Sequence, residues 1–308
     1  MRLLVIAPPE FAPLDMLRRE MPDVELSIGT IAESLRDDAA RADAVLIAPR
    51  FGALLTELWP QLADVRWIHT LAAGVEFLPF ELLRRSDVVV TNSRGLYADA
   101  LGEFAIAAML WFAKDLRRMI RNQAERRWEP YTVERLEGRT VGIIGYGGIG
   151  EAAGRRASAL GMHILPVRRH RELGDPSIDD VIHESDYIVM STPLTPSTHR
   201  LMSRERIDAM NPTAVLINIG RGATVDEDAL IDALRHRRIR GAALDVFEHE
   251  PLPPDHPLWP LDNVLISPHT ADRTSDSHAR AMQFFLENLR RFQAGESLEN
   301  VVDKGEGY

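Results

Sequence analysis

The sequence contains no cysteine among its 308 residues. That excludes disulfides, thiolate catalysis and cysteine-ligated metal, and it is compatible with a cytoplasmic protein. No window approaches the roughly 18 consecutive apolar residues of a membrane span. The opening segment, Met1 to Ala7, is apolar only briefly before Pro8, Pro9 and Glu10, so it reads as a first β-strand rather than a signal peptide. Positive charge is also in deficit. With 36 Lys+Arg against 46 Asp+Glu the net charge is -10, so no chain-wide field draws in nucleic acid or an anionic membrane. No internal repeat of fixed period occurs, and no metal site is expected.

What is present is ordinary globular material, 45% hydrophobic and 27% charged, long enough for two medium domains. Residues 1–92 alternate short apolar strands (3–7, 24–28, 44–48, 66–69, 88–91) with amphipathic segments (14–20, 31–41, 54–62, 77–85). Such alternation predicts a parallel sheet with helices on both faces. Residues 97–127 read as one long helix with a stripe of Leu101, Ala105, Ala108, Phe112 and Leu116, and Met109, Leu110, Trp111 and Ile120 widen its apolar surface beyond one face. Trp128, just beyond, fits either core packing or an arm reaching a second subunit. A second alternating block follows, with strands at 141–144, 164–167, 187–191, 214–219, 242–246 and 264–266 and helices at 149–160, 204–210 and 227–236. A last helix, 274–294, carries Met282, Phe285, Leu286, Leu289 and Phe292 on one side and must return to an earlier domain. Residues 298–308 read as a polar tail.

The second block begins with Gly145-Tyr146-Gly147-Gly148-Ile149-Gly150 at the exit of a strand. Three glycines alone make an ordinary turn. Between an apolar strand and a helix they make a dinucleotide fingerprint: Gly145 for the tight turn, Gly147 for backbone approach to a pyrophosphate, and Gly150 for close helix packing. The helix start adds unpaired N–H groups and a positive dipole end.

Ligands of open α/β sheets bind beyond the carboxyl ends of the strands. Four such ends carry polar groups: Ser191 to Thr195, Asn218 to Gly222, Asp245 to Pro251, and Ser267 to Thr270. Arg221, between Gly220 and Gly222, offers a planar two-pronged cation suited to a carboxylate; in isolation it reads rather as a surface arginine in a glycine turn. His269 alone reads as a hydrogen-bonded structural residue. Paired with Glu250, which raises its pKa and fixes its tautomer, it becomes a proton donor near neutral pH.

Five motifs in one order, G-Y-G-G-I-G, T-P-L-T, N-I-G-R-G, A-L-D-V-F-E-H-E-P-L-P and S-P-H-T, resemble the D-isomer-specific 2-hydroxyacid dehydrogenase family, and the resemblance covers essentially the whole chain. It implies an α/β protein of two doubly wound parallel-sheet domains, a Rossmann cofactor domain inserted in a flavodoxin-like substrate domain. Residues 1–97 with 272–308 would form the substrate domain, residues 98–271 the dinucleotide-binding domain, with a cleft closing between them. The resemblance further implies that Arg221 binds substrate, Glu250 tunes His269, and His269 is the acid/base. Gly148 and Ile149 would meet the pyrophosphate, Thr192, Pro193 and Ile219 would line the cofactor, and Asp245 would contact its nicotinamide side. Backbone N–H groups at Ala73, Gly74 and Val75 would hold the substrate carboxylate. Family members are commonly dimers through the cofactor domain, so a homodimer is expected.

Two departures stand out. Where NAD-dependent relatives carry an acid after the second strand, this chain reads Val167-Arg168-Arg169-His170-Arg171. Arginines there favour a 2′-phosphate and hence NADP over NAD; the alternative is a solvated basic turn that leaves specificity open. Phe104 replaces a histidine common among relatives, and no mechanism depends on it. The expected activity is reduction of a small 2-oxo acid, glyoxylate or hydroxypyruvate, to the D-2-hydroxy acid where the product is chiral. A phosphite-type dehydrogenase and a dinucleotide-binding corepressor scaffold are the alternatives; Glu250 argues against a formate enzyme. Side-chain preference depends on how Arg50, Trp59, Leu71, Tyr97 and Trp259 are placed.

Overall fold

A computed structural model describes residues 1–169 and 175–305. The chain divides into two compact units, Met1–Leu96 with Ser275–Tyr308, and Tyr97–Thr274. Among the described residues no helix is long and apolar enough to cross a membrane.

The first unit opens with β1 (Arg2–Ile6), α1 (Leu14–Glu20), β2 (Glu25–Gly29), α2 (Ala32–Ala39), β3 (Ala44–Ile47), α3 (Gly52–Leu58), β4 (Trp67–Thr70), α4 (Phe80–Leu83) and β5 (Val89–Asn92). All five strands are parallel, in the order β2-β1-β3-β4-β5. This is the flavodoxin-like order. β3 and β4 are buried at every residue, as unbroken apolar strands covered on both faces must be. Proline shortens two expected helices. Pro60 turns the end of the 54–62 segment into a 3-10 turn, Trp59–Gln61, and Pro79 holds the 77–85 segment to a single turn of helix.

The second unit follows with α5 (Ala98–Ala113), α6 (Leu116–Ala124), β6 (Thr140–Ile144), α7 (Gly148–Ala159), β7 (His163–Val167), α8 (Ile178–Glu184), β8 (Tyr187–Met190), α9 (Arg204–Asp208), β9 (Val215–Asn218), α10 (Glu227–Arg235), β10 (Gly241–Leu244) and β11 (Val264–Ile266). Its six strands are parallel in the order β11-β10-β9-β8-β6-β7, and the winding reverses between β6 and β8. Three expectations are corrected here. The helix expected over 97–127 is two helices, because Asp115 adopts a left-handed backbone (φ 48°) and caps α6 by accepting the Arg118 N–H at 3.3 Å. Helix α8 was not anticipated; its Ser177–Asp180 capping box announces it. Trp128 is 97% exposed, which removes the core-packing reading.

The chain then returns as α11 (Ser277–Ala294), three residues later than expected. Within the first unit Phe285 of α11 stacks on Trp67 of β4, ring centroids 5.4 Å apart, and Phe292 lies 5.2 Å from the same indole. Gly295 ends the helix in a left-handed conformation (φ 72°). The tail is not simply polar. The Val302 N–H donates to the Val90 carbonyl at 2.8 Å, Val301 bridges Thr91 in antiparallel fashion, and Lys304 Nζ donates to the Ser86 carbonyl at 2.6 Å. The segment thus covers the outer edge of β5, which would otherwise present unpaired backbone groups.

His69 of β4 is fully buried beside Trp67 and Phe285, with Nδ1 2.7 Å from the Thr91 hydroxyl and Nε2 without a partner among the described residues. Burial pushes its pKa down to about 3. The folded chain therefore keeps this imidazole neutral, while the unfolded chain protonates it below the ordinary value of 6.5. Its contribution is intact above 6.5 and is lost as pH falls toward 3. We expect urea unfolding to register roughly 3 kcal/mol of acid destabilisation from this group between pH 7 and pH 4. A His69→Phe variant should lose that share of the pH slope; an identical slope in the two proteins would refute the assignment.

Candidate active site

The glycine turn joins β6 to α7, at the sheet's reversal point. Gly145 has φ +98°, and a Cβ there would lie 2.9 Å from the Ser191 and Thr192 backbone, so only glycine fits. The Gly145 and Tyr146 N–H groups both donate to the Val167 carbonyl, at 3.0 and 2.9 Å, which fastens the turn to β7. A Cβ on Gly150 would stand 2.6 Å from the Gly145 carbonyl oxygen, so α7 packs directly on the turn. Gly147 and Gly148 differ: among the described residues a Cβ on either would meet nothing within 4 Å. Open space therefore lies at the N-terminus of a 12-residue helix, where unpaired N–H groups and the dipole favour an anion.

Thr192 follows β8 and is buried, with its Oγ1 lacking a hydrogen-bond partner among the described residues, and Ile219 beyond β9 is also buried. An orphaned hydroxyl beside an open glycine turn fits a bound nucleotide, because buried polar groups are otherwise paired. Pro193 lies next to Thr192 and Ile149 lies in the first turn of α7. At the end of β7 the Arg168 guanidinium sits 4.8 Å over the Tyr146 ring and 3.7 Å from the Asp175 carboxylate. Tyr146 itself packs on α7, where a Cβ at Gly154 would come within 2.9 Å of its ring. Arg169 is exposed; His170 and Arg171 lie outside the described residues.

The second cluster grows from β9, β10 and β11, which are neighbours in register: Asn218 faces Leu244, and Leu244 faces Ile266. Just beyond Asn218 comes Arg221, whose carbonyl accepts from Asn218 Nδ2 at 3.1 Å and Thr224 Oγ1 at 2.6 Å. Gly222 backs onto the next loop so closely that a Cβ would stand 1.9 Å from the Phe247 carbonyl carbon. That loop carries Glu250, whose Oε1 accepts the Phe247 N–H at 3.1 Å and whose Oε2 lies 2.7 Å from His269 Nδ1.

Asp245, at the end of β10, is buried, and its Oδ1 accepts from Ser267 Oγ at 2.6 Å, Thr270 N–H at 2.9 Å and Ala271 N–H at 3.1 Å. These bonds curl the 267–271 turn around the carboxylate, while the His269 N–H donates to the Asp245 carbonyl at 2.9 Å. His269 takes φ 52° in consequence, an uncommon conformation for a non-glycine residue. Asp245 thus shapes the turn that presents the imidazole. Sequence reasoning missed Ser267 and Thr270 in this role, although a buried strand-end acid needs donors nearby.

The electrostatics of the pair follow from these contacts. The hydrogen bond to Glu250 raises the His269 pKa, helped by the charges of Glu250 and Asp245; burial and Arg221 oppose it without prevailing. Burial pushes the Glu250 carboxyl upward, but the bonds from His269 and the Phe247 N–H, with the His269 and Arg221 charges, outweigh it and the net shift is down. Ionised carboxylate and protonated imidazole therefore stabilise each other, and Arg221 is near enough for its charge to act on both.

In the other unit the loop after β4 is held from within. Asn92 Nδ2 donates to the Ala73 carbonyl at 2.7 Å, the Ser93 N–H to the Ala72 carbonyl at 2.9 Å, and the Ala72 N–H to Thr70 Oγ1 at 3.2 Å. Val75 is buried, whereas Ala73 and Gly74 are partly exposed. Asn92 and Ser93 are further residues that sequence reasoning did not single out.

The sequence profile of the D-isomer specific 2-hydroxyacid dehydrogenase NAD binding domain matches residues 106–271. A glyoxylate reductase of Korarchaeum cryptofilum is 33% identical over 309 residues, covering 96% of this chain and 91% of that one. A D-isomer specific 2-hydroxyacid dehydrogenase from Xanthobacter autotrophicus, solved in complex with NADPH and MES, aligns with a TM-score of 0.83 at 30% identity, covering 100% of this chain and 99% of that one. An NADPH-dependent glyoxylate/hydroxypyruvate reductase from Sinorhizobium meliloti, in complex with NADP and malonate, aligns at 0.82 with 27% identity, covering 99% and 97%. Fold, sheet-edge residues and these matches together define an NAD(P)-dependent dehydrogenase acting on a CH–OH donor. The chain belongs to the D-isomer specific 2-hydroxyacid dehydrogenase family.

Proposed function

We propose that the chain reduces a small 2-oxo acid of the glyoxylate or hydroxypyruvate type, with NADPH, yielding the D-2-hydroxy acid where the product is chiral. The observation that carries this reading is the 2.7 Å Glu250–His269 pair, with the Arg221 charge acting on both, at the carboxyl edge of a Rossmann sheet. The nicotinamide nucleotide, when bound, supplies the hydride. His269 holds the proton: Nδ1 is committed to Glu250, so Nε2 is the atom that donates to the carbonyl oxygen. Arg221 grips the acid with its planar fork and polarises the carbonyl. Backbone N–H groups of Ala73, Gly74 and Val75 are assigned to the substrate carboxylate. Residues 98–271 are assigned to the nucleotide, with Gly145 to Gly150, Thr192, Pro193, Ile219 and Asp245 around it, and residues 1–97 with 272–308 to the substrate.

The pH dependence has a defined sign. Because the His269 pKa is raised, the imidazolium persists above the ordinary value, and reduction slows as pH rises through that raised pKa. Steady-state assays of several 2-oxo acids with NADPH and NADH should find turnover with glyoxylate or hydroxypyruvate. His269→Gln should lower kcat by on the order of a hundredfold or more. Full activity in that variant would remove the role, and absence of turnover with every oxo acid would return the corepressor reading.

NADP preference is supported by Arg168, held over Tyr146, and by Arg169 beside it, and by the two NADPH- or NADP-bound relatives. A guanidinium fork matches a 2′-phosphate, which an acid at this position would repel. The Asp175 carboxylate shares the Arg168 guanidinium and would compete with that phosphate. Replacing Arg168 and Arg169 by alanine should raise KM for NADPH about tenfold or more while leaving KM for NADH nearly unchanged. Equal effects on both would refute the preference.

A homodimer is the proposed assembly. Trp128, Met119, Ile120 and Val133 expose apolar surface on or near α6, more than a lone surface residue would explain. Sedimentation should find a dimer at micromolar concentration that Trp128→Ala weakens; a wild-type monomer would end this proposal.

A further inference from the structure

The loop that carries Glu250 runs from β10 to β11, and a second carboxylate–imidazole pair is built into its base. Glu227, the first residue of α10, sends Oε2 to the Glu248 N–H at 3.2 Å and Oε1 to His256 Nε2 at 3.2 Å. Both side chains are largely buried, 14% and 16% exposed. His256 Nδ1 accepts the Leu258 N–H at 3.4 Å, so the ring proton resides on Nε2 and is donated to Glu227. One carboxylate therefore ties together two points of the same loop, one before Glu250 and one after it. The neighbouring charges are Asp226, the N-cap of α10, Glu248 itself, and Arg200, which lies 3.9 Å from Asp226 and 3.7 Å from Glu248.

We propose that Glu227 and His256 are positioning residues that fix the 247–250 turn and thereby hold Glu250 at hydrogen-bond distance from His269. The inference rests on His269 as the proton donor. Consecutive N–H groups divide the work: that of Phe247 holds the Glu250 carboxylate from inside the turn, and that of Glu248 anchors the turn to α10. Gly222 backs the turn on another side, where a Cβ would stand 1.9 Å from the Phe247 carbonyl carbon and 2.4 Å from the Glu248 nitrogen, while Glu227 supplies the acceptor for the Glu248 N–H. A carboxylate–imidazolium bond depends steeply on distance and direction, so loosening the anchor weakens the contact that keeps His269 protonated. No group in the pair reaches the reaction itself in this scheme; it acts through Glu250.

The test is a series, Glu227→Gln, Glu227→Ala and His256→Phe, in the full-length protein. The imidazole proton resonances of the cofactor-free protein are titrated by NMR, with the His269 signal identified by its loss in His269→Gln. In Glu227→Ala and His256→Phe the His269 pKa should fall toward the ordinary imidazole value, and kcat for 2-oxo acid reduction should fall on the order of tenfold with KM for NADPH unchanged. Glu227→Gln keeps an acceptor for the Glu248 N–H and should shift less. An unmoved His269 titration overturns the proposal, whether kcat is retained or falls with thermal stability. Failure of every variant to fold assigns the pair to stability alone and overturns it equally. If the wild type reduces no oxo acid, the functional reading fails while the NMR titration still decides this one.

Discussion

A parallel sheet delivers the carboxyl end of every strand to one edge, and the proposed chemistry depends on that constraint. β9, β10 and β11 are adjacent and in register, so Asn218, Leu244 and Ile266 end in one row. Strands stand about 4.8 Å apart, and loops of a few residues are enough to bring side chains from neighbouring strand ends into contact. Arg221, Glu250 and His269, far apart in sequence, become neighbours through strand order alone. Burial then does the fine placement. The Asp245 carboxylate cannot stay inside without donors, and the three it gathers come from the turn that carries His269. Satisfying one buried charge fixes the backbone of His269, the proposed proton donor.

The nucleotide end of the same edge is shaped by the opposite requirement, space kept empty. Gly145 and Gly150 are pressed against neighbouring backbone, whereas among the described residues nothing lies within 4 Å of a Cβ on Gly147 or Gly148. The turn is tight where it must join strand to helix and open at the helix start, where the proposed pyrophosphate contact lies. Thr192 Oγ1 stands buried and unpaired in the adjoining loop, a cost that a bound partner relieves.

Much of this was legible in the sequence because it rests on local rules. Glycine spacing after an apolar run, a polar residue at each strand end, and the alternation of strand and helix all have short-range causes. The unread parts depend on distant partners or on local signals masked by stronger ones. Apolar spacing runs unbroken from Leu101 to Leu116 and hides the break at Asp115, although aspartate is a good cap. The Ser177 capping box heads a short helix beside a basic turn and gave no long period to notice. Val301 and Val302 sit in a polar tail, and their pairing depends on the edge of β5, a distant partner. Asn92 and Ser93, at the end of β5, draw no notice until the carbonyls they hold are in view, and the part Ser267 plays shows only once the Asp245 carboxylate is seen.

Three histidines make the same point about residue type. His69, His256 and His269 are indistinguishable as letters, and their surroundings give them three states. His69 has a hydroxyl on one nitrogen and apolar rings around it, so desolvation dominates and the ring stays neutral far into acid. His269 has the ionised Glu250 at 2.7 Å and partial access to water, so the hydrogen bond outweighs desolvation and the ring gains affinity for a proton. His256 also meets a carboxylate, but through Nε2, while its Nδ1 accepts from a backbone N–H, so both nitrogens are engaged and the ring serves as a strut. A proton donor needs both a carboxylate on one nitrogen and a vacant second nitrogen. Among these three, only His269 has the carboxylate on Nδ1, and among the described residues no hydrogen bond to its Nε2 is found, which is why the proposed chemistry is assigned there.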